Sequence, residues 1–287
     1  SFAKAVKSNT RAFYAESLGN PKLDVLDLKA ISGIAKKAKV PFIVDNTVAS
    51  PALLNPIEHG ANIVIHSLTK YLTGNGTSIG GVIIDAGTFD WGNGNFPEFT
   101  EPNPSYHGLN YHEALGNIAF IAKARVEGLR DFGSAPSPFN SFQTIQGIET
   151  LDIRMKKHSE SALKLAAWLS TREEVAWVNY PGLKTSKYNS LAQQYLSKGQ
   201  SGIITFGLKK GFEAGKKVAD FTKLFSLLAN FGDSKSLIIH PSSTTHQQLD
   251  EEAQKTTGVT KDLIRLSVGL EDVNDLIDDL KAAFAQI

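Results

Sequence analysis

Two short apolar runs, residues 41–44 and 62–65, each carry a polar residue at their end, Asp45 in the first case and His66 in the second. Unbroken apolar runs of this length suit strands buried on both faces, and such strands belong to parallel sheets covered by helices. Their neighbours fit the same scheme. Residues 10–15 alternate and end at Glu16, and residues 24–38 carry Val25, Leu28, Ile31, Ile34 and Ala35 at helical spacing. Residues 78–85, with Gly80 and Gly81 paired, read as another strand. Strand, helix and strand in succession predict a doubly wound α/β unit with a mostly parallel sheet and right-handed crossovers.

In such a sheet, ligands sit beyond the carboxyl ends of the strands, so the residues just past each apolar run face one crevice. Here those are Asp45 after one run and His66-Ser67-Leu68-Thr69-Lys70 after the other. An acid, two hydroxyls and an amine suit pyridoxal 5'-phosphate. The amine forms an imine with the cofactor aldehyde, and a carboxylate against the pyridine nitrogen keeps the ring an electron acceptor. Ser67 and Thr69, on the same short turn as Lys70, are placed to hold a phosphate. Singly, each residue has a plainer reading: a solvated lysine, or an aspartate that closes a turn.

Beyond residue 87 the pattern changes. Residues 87–112 are rich in Gly, Pro, Asn and aromatics without periodicity, and irregular stretches of that length are usually functional or mobile. The aromatics Phe89, Trp91, Phe96, Phe99 and Tyr106 suit loop packing or a subunit contact better than a substrate entry. Residues 141–170 read as a helix bridging two domains, with Leu151, Met155, His158, Ala162, Leu165, Ala166 and Leu169 on one stripe. Residues 175–180, 203–208 and 262–267 read as strands and 215–228 as a helix. Val273, Leu276, Ile277, Leu280 and Phe284 make a terminal amphipathic helix whose start is favoured by Glu271 and Asp272. The expected organisation is a large cofactor-binding domain over residues 1–150 and a smaller α+β domain over 151–287.

A net charge of +1 over 287 residues gives no reason to expect nucleic acid as a partner. No run is apolar enough to span a membrane and no secretory leader is visible, so a cytoplasmic location is expected. With no cysteine, disulfides, thiolate metal sites and cysteine nucleophiles are excluded. His240 and His246 lack a third ligand, so packing or hydrogen bonding is expected and no metal.

Several motifs stand in order along the chain: Glu16-Ser17-Leu18-Gly19-Asn20-Pro21, Val44-Asp45-Asn46-Thr47, Ser67-Leu68-Thr69-Lys70-Tyr71, Gly232-Asp233-Ser234-Lys235-Ser236-Leu237, His240-Pro241, Thr245-His246 and Ile264-Arg265-Leu266-Ser267-Val268-Gly269-Leu270-Glu271. In these the chain resembles the pyridoxal-phosphate enzymes of cysteine and methionine metabolism over essentially its whole length. Tyr106-His107-Gly108 in the irregular stretch resembles the O-acetylhomoserine sulfhydrylase branch.

The resemblance implies the fold type I architecture of pyridoxal-phosphate transferases. It implies Lys70 as the imine-forming lysine and acid/base catalyst, Asp45 as partner of the pyridine nitrogen, and Ser67 and Thr69 as phosphate contacts. Asn20 would meet the ring hydroxyl oxygen and adjoin the substrate, Arg265 would clamp the substrate carboxylate, and Ser236 would stand beside that carboxylate and the lysine. Glu16 would be a supporting acid. The implied reaction converts O-acetylhomoserine and sulfide to homocysteine and acetate in methionine biosynthesis, by a homotetramer built from active dimers. Cystathionine γ-synthase, methionine or cystathionine γ-lyase, and a silent structural domain are the alternatives. The family also carries a sizeable region before the first strand seen here, which supplies a phosphate-binding turn, a ring-stacking aromatic, and a Tyr and an Arg reaching a neighbouring subunit's phosphate. The sequence is therefore expected to be the later part of a longer chain, with its activity alone left open.

Overall fold

The computed structural model describes residues 2–287 and contains two sheets. The first is built from β1 (Phe13–Glu16), β2 (Phe42–Asp45), β3 (Ile63–Ser67) and β4 (Gly81–Asp85), in that order across the sheet. β1, β2 and β3 run parallel, and β4 joins the edge antiparallel. The helix Leu28–Ala38 makes the crossover from β1 to β2. Asp27 opens it by accepting a hydrogen bond from Ala30 N, and Lys39 closes it in the left-handed conformation. Phe13, Phe42, Val44 and Val64 turn one face of the sheet into the first core, together with Leu28 and Ala35.

The opposite face of this sheet is covered only in part. Trp91, Phe96, Phe99, Tyr111 and Ala119 close over Ile63, with the rings of Trp91 and Phe99 stacked 4.2 Å apart. The irregular stretch is thus an aromatic cap containing the short helices Pro97–Thr100 and Tyr111–Leu115. Its rings pack on one another.

The second sheet has the order β5-β6-β9-β8-β7, made of β5 (Val175–Asn179), β6 (Ile203–Leu208), β7 (Ser226–Leu227), β8 (Leu237–Ile239) and β9 (Leu263–Ser267). All of its pairings are antiparallel except β7 with β8. The helices Leu151–Leu169, Gly211–Phe221 and Val273–Phe284 supply Leu165, Val218 and Leu280 to a second core, with Phe206, Ile264 and Leu266 from the strands. Because side chains alternate along a strand, burying Ile264 and Leu266 turns Arg265 and Ser267 to the other face, toward the first sheet.

Residues 141–170 do not form one helix. The segment divides at Thr150 into Pro138–Glu149 and Leu151–Leu169. Leu151 and Met155 enter the first core, whereas Ala162, Leu165, Ala166 and Leu169 enter the second. The helix expected over 215–228 instead spans Gly211–Phe221. Asp279 of the last helix stops it from a distance, accepting hydrogen bonds from the backbone nitrogens of Lys223, Leu224 and Phe225.

Candidate active site

Lys70 lies on the turn that leaves β3, with φ −90° and ψ −132° inside an otherwise helical Leu68–Leu72 segment. That break turns its side chain away from the coil and toward the second sheet. The amine donates to Asn230 Oδ1 and stands 4.8 Å from the centre of the Phe231 ring. Burial, followed by the nearby Arg265 guanidinium, holds the Lys70 ammonium below its ordinary pKa, favouring a neutral amine.

The turn is clamped by groups far away in sequence. Arg154 Nη1 donates to Tyr71 O at 2.7 Å, and Arg154 Nη2 to Gly147 O. The buried Tyr71 hydroxyl accepts from Ser201 Oγ and Gly202 N, both at 3.1 Å. Gly232, at φ +77°, lies so close that a Cβ there would meet Tyr71 N at 2.7 Å. Gly232→Ala is therefore expected to cost about 2 kcal/mol or more through steric overlap and a strained backbone. Denaturant unfolding should show it, together with weaker cofactor capture at Lys70; an unchanged midpoint would refute the clamp.

Asp45 closes β2 opposite Glu16 and Ile65. Its Oδ1 accepts from Thr47 N at 2.9 Å and its Oδ2 from the Tyr14 hydroxyl at 3.1 Å. Thr47 in turn accepts at its hydroxyl from Ser67 N at 2.8 Å, which ties the ends of β2 and β3 together. The Ser67 hydroxyl makes no hydrogen bond among the described residues. Thr69 is differently placed: its hydroxyl accepts from Gly80 N at 3.1 Å and approaches Gly80 O at 3.4 Å.

Arg265 Nη1 donates to Asn20 Oδ1 at 3.2 Å and Nη2 to Asn230 O at 3.0 Å. Burial pushes its pKa down to about 10, still well above neutrality, so the guanidinium remains charged. Asn20 is fixed at its backbone, where Glu16 Oε2 accepts from Asn20 N at 3.0 Å. With Oδ1 turned to Arg265, the Asn20 side-chain NH2 is left as a donor.

The structure thus brings Lys70 and Arg265 together at Asn230, with Asn20 on the Arg265 guanidinium, and sets Asp45 and Ser67 on the ends of the neighbouring strands β2 and β3. It does not bring Ser236 into this set. Ser236 is fully buried, donating its hydroxyl to Glu271 Oε2 and accepting from Gly269 N, both at 2.8 Å. Asn230 stands between the amine and the guanidinium, whereas the resemblance implies Ser236 beside the substrate carboxylate and the lysine. A lone asparagine in a loop carries no periodic or motif signal, so sequence reasoning passes over it. Both ring nitrogens of His240 are hydrogen-bonded, to Ser243 Oγ and Lys261 O at 2.8 Å, and His246 Nδ1 pairs with Thr245 Oγ1.

The donor set fits pyridoxal phosphate: an amine of lowered basicity, a doubly anchored carboxylate, an uncommitted hydroxyl on the next strand end, and a charged guanidinium near the amine. Comparison with known proteins agrees. A family described as Cys/Met metabolism PLP-dependent enzyme matches residues 1–285. The chain belongs to that family. It is 56% identical to the O-acetyl-L-homoserine sulfhydrylase of Leptospira meyeri, an alignment that takes in 100% of this chain and 67% of the relative. It is 48% identical to O-acetyl-L-homoserine sulfhydrylase 1 of Thermus thermophilus, over 99% of this chain and 68% of the relative. A crystal structure from Campylobacter jejuni, described as an O-acetylhomoserine (thiol)-lyase bearing N'-pyridoxyl-lysine-5'-monophosphate, superposes with a TM-score of 0.95 at 44% identity. That match covers 99% of this chain and 68% of the other. The chain spans about two thirds of the length of these relatives.

Proposed function

We propose that this chain carries the catalytic lysine and substrate clamp of an O-acetylhomoserine sulfhydrylase, which replaces the acetoxy group of O-acetylhomoserine with sulfide to give homocysteine and acetate. At the γ carbon a C–O bond breaks and a C–S bond forms. The observation that carries this reading is the Lys70 amine and Arg265 guanidinium meeting at Asn230, one from each sheet. The sulfhydrylase names of the most similar relatives support the same branch.

Bound pyridoxal phosphate supplies an electron sink for charge arising at the substrate α carbon. Lys70 takes the α proton as a neutral amine and returns it later, a role that its lowered basicity favours. Asp45 carries the negative charge that holds a proton on the ring nitrogen, and Ser67 offers its hydroxyl to the phosphate, with Thr69 beside it. Asn20 offers its NH2 to the ring oxygen. Arg265 binds the α-carboxylate with its planar fork and orients the α proton toward Lys70. Arg265→Lys keeps the charge and loses the fork. It is expected to raise KM for the amino-acid substrate about tenfold, with a smaller change in kcat. An unchanged KM would place the carboxylate elsewhere.

Borohydride reduction in the presence of pyridoxal phosphate, followed by intact mass and peptide mapping, tests the cofactor and the lysine together. An adduct on Lys70 is expected, and an adduct confined to another lysine would overturn the assignment. Rates with sulfide, methanethiol and cysteine as acceptors test the branch. Dominance of cysteine would point to a cystathionine synthase.

The assembly we propose is a homo-oligomer, a tetramer in the full-length enzyme, acting on small molecules in the cytoplasm. Exposed Phe139, Phe142 and Ile145 on the Pro138–Glu149 helix support a contact face of this kind. No helix among the described residues is long and apolar enough to cross a membrane.

A further inference from the structure

Tyr14 has no part in the chemistry proposed above, and its setting is not that of a packing residue. In β1, Phe13 enters the first core while Tyr14 turns to the open face of the sheet, where 56% of it is exposed. The register sets Tyr14 beside Ile43 and Glu16 beside Asp45, so Tyr14, Glu16 and Asp45 share one face by the two-residue period of a strand. From there the phenol crosses to β2 and donates to Asp45 Oδ2 at 3.1 Å. The other carboxylate oxygen, Oδ1, accepts from Thr47 N at 2.9 Å. One anchor comes from the chain just beyond Asp45 and the other from the neighbouring strand. Together they fix the terminal torsion of an aspartate, which is otherwise broad.

We propose that Tyr14 is a positioning residue for Asp45, its phenol fixing the plane of the carboxylate that receives the cofactor's ring nitrogen. The proposal rests on the pyridoxal-phosphate reading of the site. An ionised carboxylate oxygen accepts more than one hydrogen bond, so phenol and ring nitrogen do not compete for Oδ2. The charged groups facing the phenol are Asp45 and Glu16, both acidic. Burial, then Asp45, then Glu16 push its pKa up to about 12, so Tyr14 keeps its proton and remains a donor throughout the working range. The carboxylate is thereby held by a neutral group that does not compensate its charge.

Two measurements test this. In the cofactor-free chain, the tyrosinate absorbance titration of the parent minus that of Tyr14→Phe isolates the ionisation of Tyr14. It is expected near pH 12, falling toward the ordinary 10 in Asp45→Asn. Ionisation at the ordinary value, indifferent to Asp45→Asn, overturns the pair. In the loaded chain, Tyr14→Phe is expected to weaken pyridoxal phosphate binding about three- to tenfold and to shift the pH profile of its visible absorption. Neither change should recur on the Asp45→Asn background; equal weakening in both backgrounds would make Tyr14 merely structural and overturn the proposal. A chain that takes up no pyridoxal phosphate would refute the functional reading, while the cofactor-free titration would still decide whether Tyr14 holds Asp45.

Discussion

Lys70→Ala is expected to leave the chain folded and to lower γ-replacement turnover by about 10²- to 10⁴-fold, the range that a positioned general base contributes. The fold survives because the turn is held by Arg154, Tyr71 and the close approach of Gly232, none of which needs the lysine side chain. What disappears is the amine that meets Asn230 beside the Arg265 guanidinium, just beyond the end of the strand that bears Ser67. The variant should also give no borohydride-stable adduct at this position. Turnover equal to the parent would sink the assignment, and loss of the folded signal would show instead that the side chain holds the turn.

The second large effect concerns stability and involves a residue remote from the chemistry. His158 is fully buried, its ring Nδ1 donating to Val268 O at 2.7 Å and its Nε2 left without a partner among the described residues. Burial lowers its pKa from 6.5 to about 4, and Arg154, one helical turn earlier, acts in the same direction. Between those values the unfolded chain binds the proton and the folded chain does not, so stability rises with pH. The contribution is complete above pH 6.5 and is lost progressively as pH falls to about 4, an effect of about 3 kcal/mol. Denaturant unfolding across that window measures it. His158→Phe should be less stable at neutral pH, because the Val268 carbonyl loses its donor, yet should lose less on acidification than the parent. Identical slopes for the two proteins would rule out His158 as the source.

The strand ends are readable because strands buried on both faces announce themselves as apolar runs. β2 and β3 fall within a residue or two of the expected positions, and the Thr47 hydroxyl ties their ends together by accepting from Ser67 N. The alternating segment expected over residues 10–15 shrinks to Phe13–Glu16, since pairing with β2 begins only at Phe13. β8 escapes sequence reading because three residues carry no periodicity. The break at Thr150 carries no Gly or Pro of its own in the sequence, and the apolar stripe begins only after it, at Leu151. Gly147 packs there against the carbonyls of Leu72 and Thr73, a contact between segments far apart in sequence. Asn230 and Tyr14 are invisible for the same reason. Their roles come from partners 160 and 31 residues away, and neither residue type is diagnostic by itself. Ser236 stands within a recognisable motif, but its hydroxyl faces Glu271, whose place is set by the turn after β9.

The helix Leu151–Leu169 sends one end into each core and spans about 28 Å. It therefore acts as a strut between the wall that bears the amine and the wall that bears the guanidinium. A hinge separating those walls would have to bend the helix near its middle, where Met155, His158 and Ala162 are wholly buried. Bending there would open both cores together, at a cost far above that of a loop motion. Traffic into and out of the crevice is consequently expected at the rim, through side-chain rotation and surface loops, with the two walls held by the helix between them.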